Sequence, residues 1–65
     1  MTPEQRIREF NELFDGLPGT NAERLRAVAD VLFCAPNTIR IWRMNETHRV
    51  IPLAKLRMLQ RHFLK

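Results

Sequence analysis

Cysteine is almost absent from this chain, with Cys34 standing alone. One thiol closes no disulfide framework and no cysteine-based zinc site, and it suits a reducing cytoplasm. Glycine is nearly as scarce, at two positions. Leu17-Pro18-Gly19-Thr20 lacks both the glycines and the lysine of a phosphate-cradling loop. No apolar run reaches the length of a membrane span. Met1-Thr2-Pro3-Glu4-Gln5-Arg6 meets polar and acidic side chains too soon for a signal peptide. No stretch alternates in the manner of a strand, and nothing repeats or falls to low complexity. His48 and His62 lie far apart with no cysteine or acidic cluster around them, so surface histidines are expected and not metal ligands. Glu4, Glu9, Glu12 and Asp15 read as a solvated face, and no base is placed to activate Cys34. These absences argue against an enzyme, a cofactor, a small-molecule ligand and a membrane partner.

What is present is a single small domain spanning residues 1–65, with 45% hydrophobic and 28% charged residues. A core of this size leaves a chain only marginally stable, which makes dimerisation a reasonable expectation. The charge is unevenly spread. Residues 1–20 sum to −2 and residues 21–35 to zero. Residues 36–65 carry Arg40, Arg43, Arg49, Lys55, Arg57, Arg61 and Lys65 against Glu46 alone, a net of +6. A positive field confined to the second half suggests a polyanionic partner there, although a merely solvated basic face would look the same.

The punctuation predicts an all-α bundle of four or five short helices. Thr2 caps the first, Pro3 suits its first position, and Gln5 completes a Thr-x-x-Gln capping box. Ile7, Phe10, Leu13, Phe14 and Leu17 recur at helical spacing up to the stop at Gly16 and the turn Leu17-Pro18-Gly19. Thr20-x-x-Glu23 opens a second helix through about Phe33, with Leu25, Val28, Ala29 and Leu32 facing inward. Pro36 cannot lie inside a helix, so the chain must break near Cys34-Ala35 and restart, with a third helix reaching about Asn45. After the polar connection Glu46-Thr47-His48-Arg49, Pro52 opens a last helix with Leu53, Leu56, Leu59 and Phe63 on one side.

The informative unit is residues 22–45, two helices joined by a tight break. On the second of them Ile39 and Trp42 point one way, at about 100° per residue. Asn37, Arg40, Ile41 and Met44 point the other. Asn can exchange two hydrogen bonds with adenine in the major groove, and Arg two with guanine, while Ile and Met suit thymine methyl groups. Pro36, Asn37, Arg40, Ile41 and Met44 are therefore the expected base-reading set. Thr38, Arg43, Thr47, His48 and Arg49 are the expected phosphate contacts.

Arg26-Ala27-Val28-Ala29-Asp30-Val31-Leu32-Phe33-Cys34-Ala35-Pro36-Asn37-Thr38-Ile39-Arg40-Ile41-Trp42 resembles the helix-turn-helix of Cro and phage-repressor-type regulators. Ala29 matches the small residue where the two helices touch, and Leu32, Cys34, Ile39 and Trp42 match the apolar positions. Arg49-Val50-Ile51-Pro52-Leu53 is similar to the Arg-x-Ile-Pro that often leads into that family's next helix. The resemblance covers roughly residues 22–60. It implies that Ala35, Pro36, Asn37, Arg40, Ile41 and Met44 face the groove of double-stranded DNA. It also implies a homodimer on a palindromic operator, repressing transcription in the cytoplasm of a bacterial or phage-infected cell. The chain departs from the family's pattern at two places. Phe33 stands where the turn usually has glycine, which implies either a differently shaped turn or a longer second helix. Ala35 is a poor cap where Ser is usual.

Met58, Phe63 and Leu64 lie near the terminus, where so small a domain has little with which to cover them, and they are the expected dimer interface. The rival reading is a small protein-binding inhibitor or adaptor on the same scaffold. Phe33, Ile41 and Met44 would then anchor a partner protein, with the basic half against an acidic surface.

Overall fold

The computed structural model describes residues 1–44 and 49–64. They form four helices: α1 (Pro3–Asp15), α2 (Asn21–Leu32), α3 (Pro36–Arg43) and α4 (Leu53–Phe63). No strand occurs among the described residues.

The first two helices start as their sequences direct. The Gln5 N–H donates to Thr2 Oγ1 at 3.2 Å, and the Thr2 N–H donates to Gln5 Oε1 at 3.0 Å. Thr20 and Glu23 repeat this reciprocal pairing at the head of α2, at 3.2 and 2.9 Å. Each box satisfies two backbone donors that a helix start would otherwise leave bare. The prolines serve differently at the other two starts. Pro36 takes the first position of α3, whereas Pro52 sits one residue outside α4 as its cap, and neither helix has a side-chain cap.

Helices α3 and α4 each pack on both α1 and α2. One continuous core results, built around Phe10, Phe14, Val28, Leu32, Ile39, Ile51, Leu56 and Leu59, all essentially sealed from solvent. Ala29 is buried with them at the α2–α3 crossing, and its small side chain suits the close approach of the two helices. An aromatic cluster ties α1 to α3. Phe10 meets the edge of Trp42 at 6.4 Å and lies tilted to Phe14 at 6.2 Å. Pairs of this kind add roughly 0.5–1.5 kcal/mol each beyond the area they bury.

Three expectations need correction. Helix α3 ends at Arg43, two residues early, and Met44 leaves it with extended backbone, φ −72° and ψ 145°. Leu53 is 39% exposed, because the first turn of α4 overhangs the core that Leu56 and Leu59 enter. Lastly, neither alternative offered for the turn holds. Helix α2 stops at Leu32, and Phe33 itself adopts the left-handed conformation, φ 55° and ψ 42°. The turn keeps the shape that usually calls for glycine, at a cost of roughly 1–2 kcal/mol for carrying a Cβ there.

Candidate nucleic-acid interface

The turn is held from inside and from outside α2. The Cys34 N–H donates to the Ala29 carbonyl at 3.1 Å, closing the end of α2. Lys55, on α4, brings its Nζ to the Leu32 carbonyl at 3.4 Å and to Cys34 Sγ at 3.5 Å. An ammonium against the carbonyl end of a helix is the favourable polarity. Cys34 is half-buried and packs on the core, and its thiol also donates to the Leu32 carbonyl at 3.4 Å.

From this turn α3 emerges with one face in and one face out. Ile39 is fully buried and Trp42 is 9% exposed. Ala35, Pro36, Asn37 and Arg40 are exposed, and Met44 is 53% exposed just beyond the helix end. Ile41 and Thr38 are half-buried on the flanks, so the open edge is more polar than its sequence suggested. Asn37 and Arg40 lie on the face away from Ile39 and Trp42, and no hydrogen bond or ion pair engages them among the described residues.

Arg43 has a different task from the expected phosphate contact. Its Nη1 donates to Asn11 Oδ1 at 3.0 Å and to Asp15 Oδ1 at 3.1 Å, both on α1. Its guanidinium carbon lies 4.2 Å from the Phe14 ring centroid. Three α1 side chains thus clamp the last turn of α3, and the cation is turned inward. The pair is partly solvated, with side chains 30% and 63% exposed, so the ion pair adds at most about 1 kcal/mol. Its use is geometric: it sets the angle at which α3 leaves the bundle.

Of the other expected phosphate contacts, Arg49 is exposed and Thr38 half-buried, while Thr47 and His48 lie outside the described residues. Met58 is 42% and Leu64 62% exposed, and Phe63 is half-buried. Lys55 and Asp15 have roles around α3 that escaped the sequence reading. Lys55 appeared only as one more basic residue, and Asp15 as part of a solvated face. Their partners are 21 to 28 residues away in the chain, a separation at which no local pattern announces a contact.

No helix among the described residues is long and apolar enough to cross a membrane, and no group of three or more His, Cys, Asp or Glu is placed to hold a metal ion. Comparison with known proteins finds no matching family model, no matching characterised protein and no matching solved structure.

Proposed function

We propose that this chain is a sequence-specific binder of double-stranded DNA, a transcriptional regulator of the phage-repressor type acting as a homodimer on a palindromic operator. Helix α3 enters the major groove. Asn37 and Arg40 read base edges, Pro36 and Ile41 pack beside them, and Met44 extends the apolar contact at the helix end. Arg49, with Thr38, meets phosphates. The observation that carries the reading is the split of α3: Ile39 and Trp42 anchor it from behind, and the Asn37–Arg40 edge stands open in the half of the chain that holds a net charge of +6. Regulation follows from occupancy in the cytoplasm of a bacterial or phage-infected cell, dimers excluding polymerase from a promoter. Binding, not catalysis, is the activity.

Selection of bound sequences from a random duplex library tests this directly. A recovered palindrome whose affinity falls steeply with salt supports it. On that site Arg40→Ala costs about 1–3 kcal/mol and relaxes preference at one base, whereas Arg49→Ala weakens all sequences alike. If both variants lose the same affinity on specific and random DNA, the roles are misassigned. No DNA shift, with salt-insensitive capture of a protein instead, favours the adaptor reading, for which the exposed Phe33 is the one specific observation.

A further inference from the structure

The side of the molecule where α2 and α4 lie together carries an apolar strip that DNA reading by α3 leaves unused. Val31, Phe33, Met58 and Phe63 line two adjoining shallow depressions there. Phe33 is the informative member. Its backbone is in the left-handed region, and the residue is 92% exposed, so the fold takes almost nothing back from a side chain that strains it. Glycine would serve the turn better in both respects. A contact outside the chain is where such a side chain has a use.

The edges of the strip indicate which partner fits. Asp30 stands on the α2 side, and Arg61 and His62 stand on the α4 side. A face with an acid on one edge and bases on the other is complementary to itself when rotated by a two-fold axis, as an isologous contact requires. The helices α2 and α4 are short, about 18 Å and 16 Å long and about 10 Å wide each, which gives a footprint of roughly 350 Å². That lies well below the ~800 Å² per partner of a standard interface. Contact there is accordingly weak.

We propose that a second copy of this chain docks on the α2–α4 face, with Phe33 as the central anchor and Asp30 of each copy opposite Arg61 of the other. The proposal rests on the self-association in the reading above and names its surface. Met58 and Phe63 belong to it. Leu64 does not, since it borders a separate depression with Glu9, Glu12, Leu13 and Gln60 on the α1–α4 side. Because Phe33 precedes α3 by three residues, a copy seated there also governs the spacing of the two α3 helices, and with it the half-site separation.

Sedimentation equilibrium of the full chain without DNA, up to about 1 mM, tests the proposal. The expected result is a reversible monomer–dimer equilibrium with a dissociation constant on the order of 100 μM, as suits a small interface. Phe33→Gly weakens the dimer about tenfold or more, while its thermal midpoint stays level or rises because the turn is relaxed. Asp30→Arg and Arg61→Asp each weaken it, and the two together restore association. A chain that stays monomeric, a Phe33→Gly protein that dimerises like the parent, or a charge swap that restores nothing overturns the proposal. The readout contains no DNA. Affinity for a single half-site, measured separately, decides the regulator reading on its own terms.

Discussion

Helices α1 and α2 each begin on a threonine whose hydroxyl and partner side chain close a capping box, whereas α3 begins at Ala35-Pro36 and α4 at Pro52-Leu53 with no side-chain cap. The charge divides in the same place, near neutral or acidic before residue 36 and strongly basic after it. The first half therefore carries its own instructions for helix formation. The second depends on the first. Helix α3, at eight residues, is too short to persist alone and exists because Ile39, Trp42 and Arg43 are gripped by α1 and α2. A helix held from behind in this way needs no good local signals on its open face, and that face is left available for residues chosen on other grounds.

The sharpest way to break this arrangement is to remove the grip. Trp42→Ala deletes the ring that meets Phe10 and empties space at the α1–α3 contact. Such a deletion costs about 3–5 kcal/mol, which is roughly all the stability a domain of this size possesses. Loss of the cooperative melt by circular dichroism is expected at 25 °C. A Trp42→Ala protein that melts cooperatively near the parent's midpoint would show that α3 does not depend on its anchor.

Local signals and distant contacts were not equally legible in the residues. Both capping boxes, the helix-breaking prolines and the inward stripes through Phe10, Val28, Ile39 and Leu56 follow from spacing alone, since each is set within one or two turns. The all-α class came with them. The end of α3 was misjudged because the spacing of Met44 fits a helix that the backbone has already left. The inward turn of Arg43 was invisible for a different reason. Its partners Asn11 and Asp15 lie on a helix that only the tertiary fold brings alongside, and an arginine bound for a carboxylate looks in sequence like one bound for a phosphate. Phe33 is the most instructive case. The residue type argued against a left-handed turn, and the packing of α2 against α3 imposed one anyway.

The difference between the halves can also be narrowed from both sides. Thr20→Ala removes the hydroxyl that accepts from the Glu23 N–H and is expected to lower stability by about 1 kcal/mol. Ala35→Ser supplies α3 with the cap it lacks and is expected to raise stability by about 0.5–1 kcal/mol. Urea denaturation measures both, as shifts in midpoint at unchanged slope. If Ala35→Ser gains nothing, the start of α3 is already satisfied by other means, and the contrast between capped and uncapped helices is smaller than its geometry indicates.

The smallest effect separates the two capping boxes from one another. That of α1 closes through Gln5, which has no charge to lose, while that of α2 closes through Glu23. The hydrogen bond from the Thr20 backbone N–H, followed by that with the Thr20 side chain, holds the Glu23 carboxyl below its ordinary value of 4.5. A carboxylate whose folded pKa is depressed binds its proton more readily when unfolded, so its contribution is present above the unfolded value. It is lost as pH falls from about 4.5 through the lower folded value. Glu23→Gln should therefore flatten the acid limb of the stability curve while leaving neutral stability little changed, since glutamine closes the same box in α1. Gln5→Glu should do the reverse and add an acid-sensitive start to α1. Thermal midpoints between pH 3 and pH 7 record both changes, and an acid limb that is identical in all three proteins would mean that the Glu23 charge adds nothing to its helix start.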